Sequence, residues 1–281
     1  GCFVCGMSNG FRVYNTHPLK EKERQDFADN KCGITHVEML FRCNYLAMVG
    51  SGTSPQFPKN KGTYVVIELA FTSDVRGVRL SRDRIVVALD RLIKVFTFTQ
   101  HPQQLHVFET CYNSEGLCQL CPSSSRSILV FPSKVTGSVQ VFDLKNTQET
   151  SLDIPAHDGP ISCLALNVEG SRLATASHKG TLIRIFNTAT GSQVGELRRG
   201  SGNAKIYCSS TRFLPKYFNS KWSFGRFNVP SSSQCICAFT PDSSAVIAIC
   251  EDGSYFRFAF NQKGECSKDY FAHFLDMTDS S

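Results

Sequence analysis

Apolar and polar residues alternate over short runs along much of the chain, a period of two that is typical of half-buried β-strands. One unit recurs: a β-branched strand, a turn of small residues that usually contains Gly, and a second strand that ends in Val or Ile and an aromatic residue. Its copies are 2–5 with 10–15, 85–88 with 92–96, 128–130 with 137–143, 173–177 with 180–187, and 246–249 with 253–258. Helical signals are weak, and a helical turn or two is expected only at 20–27. The pattern predicts an all-β fold.

The spacing of this repeat predicts a β-propeller. Gly137 and Gly180 are 43 residues apart, which matches a propeller blade of about 40–45 residues. From Gly180 to Gly253 the interval is 73 residues, too long for one blade and too short for two. Part of a blade is therefore expected to be missing between 199 and 227. We predict an incomplete WD40-type β-propeller of six or seven blades that forms a single domain over 1–281.

Composition narrows the class of protein. The chain has 281 residues, of which 41% are hydrophobic and 19% charged, as in ordinary globular proteins. Because no run approaches the roughly 20 apolar residues of a membrane-spanning helix, a transmembrane protein is not expected. The chain begins in strand-like sequence without Met, so we expect a fragment whose amino terminus lies upstream. The net charge of +6 suits an acidic partner, either a lipid surface or nucleic acid.

Thirteen cysteines call for an explanation. Most lie in apolar, strand-like runs, among them Cys43, Cys163 and Cys250. An odd number of cysteines without a secretion signal favours free, buried thiols in a reducing, cytoplasmic environment. Two Cys-x-x-Cys pairs, at 2–5 and 118–121, are too far apart in the chain to favour a zinc site. We predict neither a metal nor a cofactor.

Two adjacent arginines, Arg198 and Arg199, are candidates for binding an anion. Neighbouring side chains of a strand point to opposite faces, so the two guanidinium groups would serve different sites. The guanidinium group matches phosphate oxygens in geometry and charge. Partners are at hand in the preceding strands and turn: Thr175, Ser177, Gly180, Thr181 and Arg184. The alternative is that the arginines form an ordinary solvated strand end.

Four segments resemble the PROPPIN family of seven-bladed propellers, which bind phosphoinositides and serve in autophagy. They are Leu197-Arg198-Arg199-Gly200, the stretch from Thr175 to Arg184, His36-Val37-Glu38-Met39-Leu40, and Val246-Ile247-Ala248-Ile249-Cys250. The segments 41–47 and 213–218 most resemble the third mammalian paralogue. The resemblance implies a first lipid site at Thr175, Ser177, Gly180, Thr181, Arg184 and Arg198. It implies a second site that begins with Arg199 and Gly200, but most of the sixth blade that would complete this site is absent, as are parts of blades one and two.

The resemblance also implies ligands, partners and a location. The expected ligands are phosphatidylinositol 3-phosphate and phosphatidylinositol 3,5-bisphosphate in membranes. The expected protein partners are autophagy factors, including the autophagic lipid-transfer protein. The protein is expected in the cytoplasm, recruited peripherally to pre-autophagosomal and endolysosomal membranes.

Aromatic and basic residues are interleaved from Arg212 to Phe227, without an acidic residue. This mixture suits a membrane interface, and it also suits single-stranded nucleic acid. We predict that Phe213, Leu214, Tyr217 and Phe218 form a membrane-insertion loop and that 222–227 forms a strand of the last blade. The other ambiguous residue, His157, is expected to support its blade through a buried hydrogen bond, although a place in the lipid pocket is an alternative.

No catalytic constellation is evident. The chain has no Gly-rich phosphate loop before a helix, no clustered carboxylates and no nucleophile elbow, and its histidines are scattered. We therefore expect a binding protein without catalytic residues, a peripheral membrane effector that recognises phosphoinositides. The alternative is a WD-repeat protein-interaction scaffold that does not bind lipid. A nucleic-acid partner is not expected.

Overall fold

The computed structural model describes residues 1–27, 33–41, 43, 45–51, 67–122, 126–146, 151–206, 227–230, 233–240, 242, 244–261 and 263–276. They form two compact units, Gly1–Cys118 and Gln119–Thr278. All the sheets described are antiparallel, and consecutive strands pair in the order of the chain. The single domain over 1–281 stays a prediction.

The first unit holds three sheets. Three strands form the first, β1 (Cys2–Met7), β2 (Gly10–Thr16) and β3 (Leu19–Asp26), and two form the second, β4 (Gly33–Met39) and β5 (Leu46–Ser51). The third sheet consists of β6 (Val75–Leu80), β7 (Arg84–Leu89), β8 (Leu92–Thr97) and β9 (Gln104–Glu109). The interior of this unit is lined by β7, where Val86 and Ala88 are fully buried.

The second unit holds three four-stranded sheets. The first consists of β10 (Gln119–Leu120), β11 (Ile128–Pro132), β12 (Ser138–Asp143) and β13 (Leu152–Pro155), and the second of β14 (Ile161–Leu166), β15 (Arg172–Ser177), β16 (Leu182–Asn187) and β17 (Gln193–Arg198). The third consists of β18 (Cys235–Phe239), β19 (Ala245–Cys250), β20 (Ser254–Phe260) and β21 (Cys266–His273), followed by a 3-10 turn at Phe274–Asp276. Four antiparallel strands in chain order are the make-up of a propeller blade.

All five copies of the sequence repeat are antiparallel strand pairs, which confirms the period-two interpretation. The pairs are β1 with β2, β7 with β8, β11 with β12, β15 with β16, and β19 with β20.

The helical turn expected at 20–27 is wrong. Residues 19–26 form strand β3, which pairs with β2 from Gly10 to Thr16. The stretch is charged because β3 lies at the edge of its sheet, where most of its side chains meet solvent. Charged edge strands are a common protection against pairing with another chain.

The cysteines that the structure describes form no disulfide, and this includes the pair Cys118 and Cys121, both of which are buried. The expectation of burial is wrong for Cys43, which is exposed in the turn between β4 and β5.

Within the described ranges, no group of three or more His, Cys, Asp or Glu side chains suits a metal ion. In the same part of the chain, no helix has the length and apolar character needed to span a bilayer.

Candidate anion-binding site

The pairing of β15, β16 and β17 places most of the predicted site on one face of one sheet. Thr175 lies opposite Arg184, and Arg184 lies opposite Glu196. Further along the same strands, Arg198 lies opposite Leu182. Directly paired residues share a face, and the face repeats every second residue. Arg198, Arg184 and Thr175 are therefore on a common face.

The hydroxyl group of Thr175 is used inside the protein. Thr175 is 1% exposed, and its Oγ1 lies 2.9 Å from Nε2 of His157, in the loop between β13 and β14. Burial, the largest effect, lowers the pKa of His157 below its usual value of 6.5, which favours the neutral ring. The interpretation of His157 as a support of its blade is confirmed. Thr175 stabilises the sheet from within and does not offer its hydroxyl at the surface.

Arg184 is held on two sides. Its Nε lies 3.0 Å from Oε2 of Glu196 across the β16–β17 pair, and its Nη1 donates a hydrogen bond of 2.7 Å to the carbonyl oxygen of Ala156. The side chain of Arg184 is 27% exposed. These two contacts fix the guanidinium group and connect β17 with the loop that carries His157. Glu196 also offsets the charge that Arg184 would present to an anion.

The turn from Ser177 to Thr181 lies beside the segment that follows β17. Gly180 has a φ of +62°, and a Cβ at this position would lie 1.7 Å from the carbonyl oxygen of Ala204, so only glycine fits. The backbone amide of Gly180 donates to the carbonyl of Ser177, which closes the turn. Thr181 is buried and accepts a hydrogen bond from the backbone amide of Arg199. The turn and the segment are thus fixed to each other through their backbones.

The side chains of the two arginines have different surroundings. Arg199 donates from Nε to the carbonyl oxygen of Gly180 at 2.6 Å and from Nη2 to that of Gly202. Arg198 is exposed, and its guanidinium group has no hydrogen-bond or ion-pair partner among the described residues. Gly200 follows them with open space around the position of a Cβ. Arg198 is therefore the arginine of the pair that is free to bind an anion.

The charge of this region is strongly positive. Between 177 and 206 there are five Lys or Arg residues and one acidic residue, Glu196. Lys179, on the turn, and Lys205, beyond Arg199, add to the arginines, and the backbone amide of Ala204 donates to the carbonyl of Lys179. An excess of cations on one edge of a sheet attracts phosphate groups and anionic surfaces.

The sequence predictions missed two features of the site. Glu196 was not singled out, because its role follows from the register between β16 and β17. Lys179 and Lys205 were also missed, although an acid-poor stretch around two arginines was a visible signal. The predicted insertion loop at 213–218 lies outside the described residues. The predicted strand at 222–227 also lies outside the described residues, with the exception of Phe227. Phe227 is not in a strand, and its ring stacks on the ring of Phe258 with the centroids 4.2 Å apart.

Repeated four-stranded antiparallel sheets are the make-up of a β-propeller, and comparison with solved structures shows the same fold. The model of the PROPPIN family matches residues 2–218. The chain therefore belongs to the PROPPIN family, whose members are autophagy-related, phosphoinositide-binding propellers.

Relatives and solved structures agree with this assignment. The chain is 34% identical over 306 residues to autophagy-related protein 18e of Arabidopsis thaliana, covering 92% of this chain and 80% of the relative. It is 43% identical over 202 residues to SVP1-like protein 2 of Emericella nidulans, covering 68% of this chain and 62% of that protein.

Two solved structures show the same fold. Hsv2 of Kluyveromyces lactis superposes with a TM-score of 0.79 and 22% identity, over 97% of this chain and 95% of the other. A complex of KlAtg21 with the coiled coil of AgAtg16 gives a TM-score of 0.78 and 23% identity, over 97% and 96% of the two chains.

Proposed function

We propose that this protein is a peripheral membrane effector of autophagy that recognises phosphatidylinositol 3-phosphate, and also phosphatidylinositol 3,5-bisphosphate, through Arg198. The observation that carries the proposal is the exposed guanidinium group of Arg198, which has no partner among the described residues and lies on the face that it shares with Arg184. A phosphate at this position would accept charge-assisted hydrogen bonds, each of which contributes about 1.5–3 kcal/mol. In the same proposal the protein recruits autophagy factors, including the autophagic lipid-transfer protein, to pre-autophagosomal and endolysosomal membranes.

The residues of the proposed site have different roles. Arg198 contacts the phosphate directly, and the turn of Ser177, Gly180 and Thr181 lines the site. Thr175 and Arg184 hold the sheet in shape, because the hydroxyl of Thr175 faces His157 and two nitrogens of Arg184 are engaged. Arg199 and Gly200 begin a second site whose other members are not among the described residues. The loop of Phe213, Leu214, Tyr217 and Phe218 is proposed to enter the membrane.

Liposome flotation tests this proposal. The protein should float with vesicles that contain phosphatidylinositol 3-phosphate and should stay unbound with vesicles of neutral lipid. Arg198→Ala should abolish binding, because this variant removes the unpartnered guanidinium group. Arg199→Ala should weaken binding only through the general loss of charge.

Arg126→Ala is the matched control, since Arg126 is an exposed arginine of the same unit that lies just before β11, outside the sheet that carries Arg198. It loses the same charge and should bind almost as the unaltered protein does. Equal losses from Arg198→Ala and Arg126→Ala would contradict a specific site at Arg198. Equal losses from the Arg198 and Arg199 variants would show that the second site also works.

A protein-interaction scaffold without lipid binding is the second candidate. It is supported by KlAtg21, a protein of the same fold that forms a complex with a coiled coil. This candidate predicts that no lipid composition causes the protein to float and that Arg198→Ala changes nothing. Flotation therefore separates the two functions.

A further inference from the structure

A serine follows the two arginines at a distance that suits modification. In Leu197-Arg198-Arg199-Gly200-Ser201, the hydroxyl group of Ser201 is preceded by arginines two and three positions earlier. We infer that Ser201 is a phosphorylation site for a basophilic protein kinase, and that its phosphate blocks the anion site. The second half of this inference rests on the proposed function, and the first half stands without it.

Ser201 is accessible to a kinase. It is exposed in the bend after β17, and its hydroxyl has no hydrogen-bond partner among the described residues. A Cβ at Gly200 or at Gly202 would meet no atom within 4 Å, so the backbone on both sides of Ser201 lies in open space. The hydrogen bond from Arg199 to the carbonyl of Gly202 spans this bend and must open when a kinase binds. Breaking an exposed hydrogen bond of this kind is a small cost, because water replaces the partner.

The charges identify the kinase class. A kinase that selects arginine close before the phosphorylated residue needs acidic groups in its substrate cleft, where each guanidinium group forms charge-assisted hydrogen bonds with carboxylates. Arg198 meets this need in the free protein, because its side chain is exposed and unpartnered. Arg199 meets it only when its hydrogen bonds to the carbonyl oxygens of both Gly180 and Gly202 open.

The transfer itself uses ATP as the phosphoryl donor. A base of the kinase takes the proton of the Ser201 hydroxyl, a bond forms between Oγ and the γ-phosphorus, and the bond from that phosphorus to the β,γ-bridging oxygen breaks. ADP leaves with the electron pair of the broken bond. Ser201 then carries a phosphate with a charge of about −1.5 to −2 at neutral pH.

This phosphate would lie beside the proposed lipid site. Three residues of extended chain span at most about 10 Å, so Ser201 is always close to Arg198. A phosphoserine near an arginine cluster forms charge-assisted hydrogen bonds with it. The phosphate would therefore bind the guanidinium group of Arg198. It would also offset about half of the net positive charge between 177 and 206, which contains five cationic residues and one acidic residue.

The first experiment tests the modification alone. The folded full chain is incubated with ATP and cyclic-AMP-dependent protein kinase as the probe, and phosphate is measured by intact and fragment mass spectrometry. One phosphate per chain at Ser201 is expected, and none in Ser201→Ala. Failure to modify Ser201 in the folded protein, or equal modification of the Ser201→Ala variant, would overturn the inference whatever the lipid result.

The second experiment tests the consequence. Each cation near an anionic surface contributes about a factor of five to binding, so the two charges of the phosphate alone should weaken binding to phosphatidylinositol 3-phosphate vesicles about 25-fold. Occupation of Arg198 by the phosphate should increase this loss toward that of Arg198→Ala. Ser201→Asp, with a single charge, should weaken it about fivefold, and Ser201→Ala should bind as the unmodified protein does. Phosphorylated protein that binds these vesicles as well as the unmodified form would refute the regulatory role.

A heparin column separates failure of this inference from failure of the proposed function. If the unmodified protein binds no lipid, the proposed function fails. The salt concentration at which the protein elutes from heparin still measures the positive charge of the residues between 177 and 206. Phosphorylated protein should then elute at lower salt than the unmodified protein. Elution at the same salt would show that the phosphate does not mask the arginines.

Discussion

At the scale of single residues, Thr175 has a hydroxyl group that could bind a ligand, but in the structure this group forms a hydrogen bond with His157 inside the protein. Alternation in the sequence places Thr175 and Ser177 on one face of their strand, and the register of β15, β16 and β17 adds Arg198 to that face. Burial, however, depends on what packs over the strand, here the loop that carries His157, and this was not visible in the strand itself. Which face a residue occupies was predictable, and the partner of its side chain was not.

Thr175→Val is expected to destabilise the protein. The substitution keeps the shape of the side chain but leaves Nε2 of His157 without its partner in a buried place, which costs about 1–3 kcal/mol. The urea midpoint should fall accordingly, while Thr175→Ser, which retains the hydroxyl, should lose less. A midpoint of Thr175→Val equal to that of the unaltered protein would contradict a structural role for this bond.

The stability of the fold should decrease as the pH is lowered from about 7 to about 5. Burial lowers the pKa of both His157 and His36 in the folded protein. Below the unfolded value of about 6.5, the unfolded chain therefore binds more protons than the folded one, and protonation favours unfolding. Urea unfolding at several pH values measures this slope, and His157→Gln should make it shallower. An identical slope in that variant would mean that His157 titrates normally.

At the scale of strands, the sequence predicted the strands that have one apolar face and one polar face. It failed for β3, whose two faces are both charged. The strands of the repeat alternate between β-branched and polar residues, so their period is visible. β3 carries charges on both sides because it is an edge strand, and its sequence lacks this period. The register between strands is also hidden, and for this reason the contact between Arg184 and Glu196 could not be predicted.

Glu196→Gln should strengthen membrane binding. The variant removes the one acidic residue between 177 and 206 and releases Arg184 from its ion pair. Binding to anionic vesicles should increase, by at most about fivefold. Stability should decrease by less than about 1 kcal/mol, as is usual for an opposite-charge pair across two strands. Flotation and urea unfolding measure the two effects, with Glu169→Gln, an exposed acid in the turn between β14 and β15, as control. Weaker lipid binding of the Glu196 variant would show that the pair positions the site.

At the scale of the whole molecule, the fold explains the unusual number of cysteines. Cys118, Cys121, Cys163 and Cys250 are buried thiols outside any disulfide, and they pack like small apolar side chains in a core. Burial raises the pKa of the Cys5 thiol to about 11 and also raises that of Cys118, so little thiolate is present at neutral pH. Since the thiolate is the reactive form, these thiols should be inert in the folded state.

Alkylation without reductant should therefore proceed in two stages. Cys43, which is exposed, should react in the folded protein, and the four buried cysteines should react only after denaturation. Cys43→Ser should remove the label at position 43 from the fast stage and leave the four buried cysteines unchanged. Mass spectrometry of the labelled peptides measures both stages, and recovery of a Cys118–Cys121 disulfide from the native protein would refute the assignment of free thiols.

The order of the strands also bears on how the protein is made. Each four-stranded sheet is built from one uninterrupted stretch of fewer than 40 residues, such as Ile161–Arg198, and each strand pairs with its neighbour in the chain. A ribosome adds about 5–20 residues per second, so the strands of one sheet are synthesised within about 2–8 seconds of one another. Every strand of such a sheet finds its partners among residues made just before or just after it. The strands of one sheet can thus pair in the order in which they leave the ribosome, without a distant part of the chain.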